Sequence, residues 1–321
     1  MAQKRSKREN VDGWVILDKP VGMSSTEAVG KVRWLLNAAK GGHAGTLDPL
    51  ASGCLPIALG EATKTVPVVM DGRKIYAFTV RWGAETETDD AEGEVVATSD
   101  LRPSQDAIEA ALPAFRGAIM QTPPRFSAIK VDGERAYDLA RDGEAFELAA
   151  RPVEIDRLDL VGMPDADTAE FEAECGKGTY VRAVARDLAR LLGTRGHVVA
   201  LRRLRVGPFG EEHMISLESL EELRHNPDHR EQLLADLLCP VETALDDIPA
   251  LAVNPADAGR LRQGQAVLVR GRDAPVFEGI VCAKSQGALV ALGEIERGAF
   301  HPKRVFNLSA PKTGAVVTRK A

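Results

Sequence analysis

The alternation of apolar and polar residues predicts three elements in the first third of the chain. Residues 14–18, WVILD, form a short apolar run that predicts a buried strand, and a turn follows it. Ser24 and Glu27 have the spacing of a capping box, and apolar residues at helical spacing predict a helix from there to about Ala39. Residues 75–82, IYAFTVRW, alternate strictly and predict a strand with one aromatic and apolar face.

The middle of the chain predicts further strands and two more helices. A helix is expected at 104–116, strands at 153–160 and 168–175, and a longer helix between Gly178 and Gly193. Segment 121–151 mixes prolines, glycines, aromatic residues and Arg or Lys, as an inserted element would. On the longer helix we expect a buried apolar stripe, bordered by an arginine row. The stripe is Val181, Val184, Leu188 and Leu191, and the row is Arg182, Arg186 and Arg190.

The charge distribution changes how this helix is interpreted. The net charge is −6, yet the segment 177–205 holds eight Lys or Arg against one acid, and 207–250 holds eleven acids against two Arg. Such segregation predicts a local basic surface of the kind that binds a polyanion. The alternative is that the arginines only solvate one face of the helix.

Length and composition suggest two domains and no membrane span. A chain of 321 residues has room for two cores, and it has no long apolar run. The four cysteines form no C-x-x-C pair, so we expect neither a disulfide framework nor a zinc site. The expected organisation is a disordered basic tail, a main domain, a small glycine-punctuated β-barrel and a loose tail. Their bounds are 1–10, 11–248, 249–309 and 310–321.

The segment from Gly42 to Lys64, GHAGTLDPLASGCLPIALGEATK, carries the most chemistry. Asp48 precedes a proline, which is typical of a helix N-cap. Glycines on both sides instead favour a stiff turn holding a nucleophile or general base, for which Arg182 is the candidate cation. Tyr76 is either a half-buried strand aromatic or a platform for a displaced base. His43, beside a glycine pair, carries no specific signal by itself.

Several strings together resemble the TruB-type tRNA pseudouridine synthases. In order along the chain they are GWVILDKPVGMSST, GHAGTLDPLASGCLPIALGEATK, KIYAFTVRWGAETETDDAEG, QTPPRFSAIKVDGERAYDLAR and CGKGTYVRAVARDLA. The resemblance covers about residues 11–310. It implies an α+β fold: a mixed, mostly antiparallel sheet with helices, an RNA-binding insertion at 121–151 and a C-terminal PUA-like RNA-binding β-barrel.

The resemblance also implies roles for individual residues. Asp48 matches the catalytic aspartate, Arg182 the arginine that pairs with it, and Tyr76 the tyrosine that stacks on the target uracil and helps to remove its C5 proton. His43 matches the histidine that supports the flipped nucleotide, and Lys19 a buttressing lysine. The remaining expected substrate-binding residues are Lys64, Tyr180, Leu201, Arg125, Lys130, Arg135 and Arg141.

The implied reaction is isomerisation of uridine 55, in the T loop of tRNA, to pseudouridine. The base must leave its stack, and phosphate contacts offset that cost. The implied reaction needs no cofactor or metal. The cysteine usage fits a reducing cytoplasm, and a monomer is expected because no oligomerisation stripe stands out. No membrane and no obligatory protein partner are expected. Attack of Asp48 at C1′ or C6 and elimination at C2′ stay open. Two alternatives are a guide-RNA-dependent synthase of the dyskerin type and a non-catalytic RNA binder that helps tRNA to fold.

Overall fold

The computed structural model describes residues 8–127, 129–131, 133–144, 146–225, 234, 236–269 and 279–308. The helices are α1 Ser25–Leu35, α2 Val66–Asp71, α3 Gln105–Ala111, α4 Ala136–Arg141, α5 Val181–Leu191, α6 Leu217–His225 and α7 Pro255–Arg262. Short 3-10 turns occur at Gly60–Lys64, Leu112–Phe115, Glu211–His213 and Val241–Leu245. The first strands are β1 Gly13–Lys19, β2 Gly41–His43, β3 Ser52–Leu59, β4 Lys74–Trp82, β5 Ala84–Thr86, β6 Val95–Thr98, β7 Gly117–Gln121, β8 Lys130–Val131 and β9 Glu134–Arg135. The later strands are β10 Arg151–Gly162, β11 Thr168–Cys175, β12 Gly196–Val206, β13 Ala250–Ala252, β14 Val267–Leu268, β15 Ile280–Ser285, β16 Ala288–Glu296 and β17 Ala299–Val305.

A mixed, mostly antiparallel sheet forms the centre of the fold, as predicted. Its strand order is β1-β3-β12-β4-β11-β10-β7, with β2 added beside β3. The pairing of β12 with β3 is parallel and joins Arg202 to Ser52 and Arg203 to Gly53. Gly53 has φ +94°, and a Cβ there would lie 2.3 Å from the carbonyl oxygen of Arg203. Only glycine fits at this crossing, which brings β12 against the segment that carries Asp48.

The predicted elements occur where the patterns placed them, with shifted ends. Ser24 and Glu27 form the predicted capping box of α1. The helix ends at Leu35, earlier than predicted, and Asn37 then has φ 53°, a left-handed conformation that closes the helix end. On β4 the predicted apolar face is confirmed, since its alternate residues belong to one buried cluster.

The α5 helix confirms most of its predicted stripe but not its last member. Val181, Val184 and Leu188 are buried against the main sheet. Leu191 is 58% exposed, because it is the final residue of the helix and lies beyond the edge of the apolar contact.

The C-terminal part is a second, five-stranded sheet that curls into a half-barrel, with strand order β13-β15-β16-β17-β14. It begins at Ala250, close to the predicted boundary at residue 249. Its inner core includes Leu261 of α7 and Phe300. Other residues, among them Phe306, share a buried cluster with Trp14 of β1. The two sheets are therefore joined by apolar packing.

The predicted terminal tails are described only in part. Residues 1–7 and 310–321 lie outside the described residues. The prediction of a disordered tail through residue 10 is wrong at Glu9, which forms a bridge with Ala38. Its amide donates to the Asn37 carbonyl at 2.8 Å, and its carbonyl accepts from the Ala39 amide at 2.9 Å. Within the described ranges, no helix is long and apolar enough to cross a membrane.

Candidate active site

Asp48 lies on a tight turn rather than at a helix start, so the N-cap interpretation is wrong. The Ala51 amide donates to the Asp48 carbonyl at 3.0 Å, and Pro49 takes the second position of the turn, where its fixed φ is favourable. The preceding residue, Leu47, exchanges two hydrogen bonds with the hydroxyl of Ser25, at 2.8 and 2.9 Å. The first turn of α1 therefore holds the main chain next to the carboxylate.

Arg182, in the first turn of α5, is the cation that pairs with Asp48. Its Nη2 is 2.9 Å from Oδ2 of Asp48 and donates at 2.9 Å to the Phe126 carbonyl. Its Nη1 lies 3.3 Å from the Asp90 carboxylate and donates to the Thr88 carbonyl at 2.7 Å. The arginine side chain is only 6% exposed, so these charge-assisted contacts form in a poorly hydrated environment. The predicted pairing is confirmed in this geometry.

Arg203 is the main site residue that the sequence patterns missed. It is 2% exposed and donates to the carbonyls of Cys54 at 2.8 Å, Gly45 at 3.0 Å and Thr46 at 3.3 Å. These contacts fix the main chain of the residues just before Asp48. A charge count assigns such an arginine to the surface. Alternate residues of a strand lie on the same face. Because Leu201 was expected to line the site, Arg203, two residues later on β12, could have been predicted to face it as well.

Tyr76, Tyr180 and Leu201 line one cavity of about 290 Å³ together with Asp48 and Arg182. Burial raises the pKa values of both tyrosines, and the positive charge of Arg203 partly opposes this at Tyr76. Other residues of the cavity wall are Gly45, Thr46, Leu47, Met70, Lys74, Ser127, Lys177, Thr179, Val181 and Arg203. One pocket thus brings together all three predicted catalytic residues.

Lys19 and His43 lie close to this cavity but are not among the described residues that line it. Lys19 is fully buried, and its Nζ donates to the carbonyls of Pro20 at 2.9 Å and Met23 at 2.6 Å. Burial lowers the pKa of Lys19, against the influence of the nearby Asp48 charge. Burial also lowers the pKa of His43, whose Nδ1 has no hydrogen-bond partner among the described residues. Their substrate roles stay predictions.

Lys64 lies where the two sheets meet rather than on the cavity wall. Its Nζ is 2.7 Å from the Glu61 carboxylate and donates to the Val305 carbonyl of β17, also at 2.7 Å. Glu61 in turn accepts from the Asn307 amide at 2.7 Å. The structure gives Lys64 a joining role between the sheets, and its predicted contact with substrate is untested.

The insertion carries the other four predicted RNA contacts. Lys130 and Arg141 are exposed. Arg125 donates to the Glu144 carbonyl at 3.2 Å, and its guanidinium lies 5.4 Å from the Phe146 ring centre. Arg135 belongs to the short strand β9, but its side chain lies outside the described residues.

The arginine row of α5 is paired with acids, so Arg186 and Arg190 do not supply the basic surface that the charge count predicts for segment 177–205. Arg186 binds Asp89 at 2.8 Å, and Nε of Arg190 binds Glu85 at 3.0 Å. These acids belong to segment 83–94, which begins with the short strand β5. The hydrogen bond from Arg190 lowers the pKa of Glu85. Basic residues of α5 and acidic residues of segment 83–94 are far apart in the sequence but form ion pairs in the fold.

Comparisons with known proteins place this architecture in one family. The N-terminal domain of the TruB family pseudouridylate synthases matches residues 33–181, and the C-terminal domain of tRNA pseudouridylate synthase B matches residues 182–246. The tRNA pseudouridine synthase B of Bradyrhizobium diazoefficiens is 66% identical over 96% of this chain and 89% of that protein. The protein of the same name from Agrobacterium fabrum is 59% identical over 94% of this chain and 97% of that protein.

A solved structure of a Cbf5–Nop10–Gar1 complex contains a chain of similar fold. The TM-score is 0.71 at 25% identity, covering 91% of this chain and 84% of that chain. The high identity to the bacterial relatives, over nearly the whole length, decides the assignment. The chain belongs to the TruB family of pseudouridylate synthases.

Proposed function

We propose that this protein converts a uridine of tRNA to pseudouridine. The observation that carries the proposal is the carboxylate of Asp48, 2.9 Å from the buried guanidinium of Arg182, in a cavity that Tyr76 also lines. The names of the close relatives, tRNA pseudouridine synthase B, support tRNA as the substrate.

The reaction rearranges one nucleotide without a net gain or loss of atoms. The C1′–N1 bond breaks, the uracil rotates, C1′ bonds to C5, and the C5 proton leaves while N1 gains a proton. We assign Asp48 to the first step, as nucleophile at C1′ or C6 or as base at C2′. Tyr76 would stack on the uracil and help to remove the C5 proton. Burial raises the pKa of Tyr76, which favours its neutral phenol, while the positive charge of Arg203 favours the phenolate.

Only an unstacked base can reach Asp48. A cavity of about 290 Å³ lies at the small end of ligand pockets and suits one flipped base rather than a stack. We take the target to be uridine 55 of the T loop. Tyr180 and Leu201 on the cavity wall would contact the flipped nucleotide, with His43 and Lys19 supporting the loop around it.

Binding of the rest of the T arm is assigned to the periphery. In this proposal the insertion holds phosphates with Arg125, Lys130, Arg135 and Arg141, and the PUA-like module of residues 249–309 and Lys64 add further RNA contacts. The protein acts as a cytoplasmic monomer, without a cofactor.

The decisive experiment measures tritium release from C5-labelled uridine in a bare T-arm stem-loop. We expect release by the wild-type protein without any guide RNA, no release by Asp48→Asn, and full release by the matched control Asp159→Asn on β10. The Asp48→Asn protein should bind the stem-loop within about threefold of wild type, since catalysis and phosphate binding use different groups.

Three outcomes would contradict parts of this proposal. Release that requires added guide RNA would indicate the guide-dependent class of synthase. Release by Asp48→Asn would exclude the assignment of Asp48. Full rescue of a deletion strain by Asp48→Asn would make tRNA folding, rather than modification, the relevant activity.

A further inference from the structure

Arg186 is a second buried arginine on α5, one turn beyond Arg182, and no step proposed above uses it. Its side chain is 9% exposed. Its Nη1 is 2.8 Å from Asp89, its Nε is 2.8 Å from Asp187, and its Nη2 donates to the Thr122 carbonyl at 2.7 Å. All three guanidinium nitrogens are therefore engaged, two of them with segments that are distant in sequence.

The first of these segments is the acidic turn that also holds Arg182. Asp89 precedes Asp90, whose carboxylate lies 3.3 Å from Arg182. Asp89 has φ 61°, the left-handed region that L-residues seldom adopt, and its carbonyl accepts from the Val198 amide at 3.1 Å. This conformation needs support from its surroundings, and the ion pair with Arg186 supplies it from the side chain.

The second segment is the root of the insertion. The side-chain amide of Gln121 donates to the Tyr180 carbonyl at 3.2 Å and accepts from the Tyr180 amide at 2.9 Å. The next residue, Thr122, is held by Arg186, and a few residues later the Phe126 carbonyl is held by Arg182. The nitrogen that binds Phe126 is the same Nη2 that binds Asp48.

We propose that the Asp89–Arg186 pair positions the catalytic ion pair. It fixes the acidic turn on one side of Arg182 and the root of the insertion on the other, so that Nη2 of Arg182 stays on Asp48. Arg186 is a positioning residue, since it contacts neither the cavity nor the reacting atoms. The inference rests on the proposed function, because it concerns the rate of that reaction.

The same helix provides a matched control. Arg190 is one further turn along and pairs with Glu85, four residues before Asp89. Its side chain is 51% exposed, and neither it nor Glu85 is among the described residues that line the cavity around Asp48. If any α5 ion pair supported activity through helix stability alone, substitutions at Arg186 and Arg190 should lower the rate equally. If Arg186 positions Arg182, only the substitution at Arg186 should lower the rate.

The experiment compares Arg186→Lys with Arg190→Lys, and Asp89→Asn with Glu85→Gln, in the full chain. The single-turnover rate at saturating T-arm RNA and the Kd for that RNA are measured for each. A lysine retains the charge but cannot span three partners, so Arg182 is displaced, and misplacement by about 1 Å costs about 100-fold in rate. We expect Arg186→Lys and Asp89→Asn to lower the rate at least about tenfold with Kd within about threefold, and both controls to stay within about twofold of wild type.

Equal rates for the Arg186 and Arg190 variants would overturn the inference, as would a loss confined to Kd. If Arg186→Lys does not fold, as judged by its thermal transition, the isosteric Asp89→Asn decides by the same criteria. Wild-type protein that releases no tritium would contradict the proposed function itself, a result that is separate from these comparisons.

Discussion

At the scale of single residues, two buried arginines on different elements determine where Asp48 lies. Arg182 binds its carboxylate, and Arg203 binds the carbonyls of Gly45 and Thr46 just before it. Both arginines are buried. Arg182 holds the carboxylate and Arg203 holds the main chain before it, so substitutions at the two arginines should affect activity and stability differently.

Replacing Arg203 should cost stability as well as activity. Arg203→Met leaves the buried carbonyls of Gly45, Thr46 and Cys54 without their donor, which should lower the free energy of unfolding by about 3 kcal/mol. Urea denaturation measures the loss. The control is Arg205→Met, at an exposed position on the same strand, for which we expect a change of about 0.5 kcal/mol or less. Similar losses for both variants would contradict the role given to Arg203.

The pH dependence of stability should reveal Lys74. Burial lowers its pKa from 10.5 to about 8. Between these values the folded chain has lost the proton while the unfolded chain keeps it, so stability relative to Lys74→Met rises with pH. The slope is at most about 1.4 kcal/mol per pH unit, and below pH 8 the difference between the two proteins is constant. Urea denaturation of both proteins across this range checks the sign, and a flat difference would contradict it.

The contrast between Asp48 and Arg203 shows what the sequence could predict at this scale. Asp48, Tyr76 and Arg182 were predicted because short, specific strings carry them, and the structure brings them into one cavity. The turn at Asp48 was ambiguous, since Asp-Pro begins helices and turns alike. Arg203 was missed because its partners are main-chain carbonyls, which have no signature in side-chain composition.

At the scale of elements, α1 connects a helix cap to the turn that carries Asp48 through two adjacent residues. Ser24 caps the helix, with the Glu27 amide donating to its hydroxyl at 3.2 Å. Ser25 is buried and exchanges hydrogen bonds with Leu47, next to Asp48. Ser24 therefore stabilises only the helix, whereas Ser25 also holds the turn that carries Asp48.

Alanine substitutions at these two serines should therefore separate stability from catalysis. Each should lower the free energy of unfolding by about 1 kcal/mol, through a lost cap in Ser24→Ala and through lost hydrogen bonds in Ser25→Ala. Only Ser25→Ala should also lower the single-turnover rate, by about tenfold, because Leu47 is released beside Asp48. Equal rates in the two variants would contradict the tethering role.

The α5 helix shows where prediction from the sequence fails at this scale. Its apolar stripe was largely predictable, since the stripe follows from helical spacing. The environment of its arginine row was not, because Glu85 and Asp89 lie about a hundred residues earlier and reach the helix only through the fold of the sheet. A count of charge along the chain records separation in sequence and contains no information about contact in space.

At the scale of the whole molecule, the arginines of α5 are paired with acids, and we assign the positive charge for RNA binding to the insertion. Lys130→Ala and Arg141→Ala remove exposed cations from it and should each reduce the slope of log Kd against log salt by about one. Lys31→Ala serves as the control, because its ammonium pairs with Glu221 at 2.7 Å. Filter binding across a salt series measures the slopes. An unchanged slope in both insertion variants would place the RNA elsewhere.

The junction between the two sheets is apolar in its centre and polar at its edge. Phe306, 2% exposed, shares a buried cluster with Trp14 and Phe209. At the edge, Lys64 and Glu61 bind the main chain around β17. A shared core of this kind favours cooperative unfolding over independent melting of the C-terminal sheet.

Phe306→Ala tests this cooperativity. It should lower the free energy of unfolding by about 3–5 kcal/mol, because a large buried side chain leaves a cavity. Trp14 and Trp82 lie in the main sheet and are buried, so the fluorescence of these tryptophans reports unfolding of that sheet, while hydrogen exchange of the β15–β17 amides reports the other sheet. Both signals should shift together by the same amount, and Ile280→Ala, at a position 45% exposed, should shift neither appreciably. Early exchange of the β15–β17 amides, with the tryptophan transition unmoved, would mean that the C-terminal sheet melts independently and that the shared cluster contributes little to the active-site half.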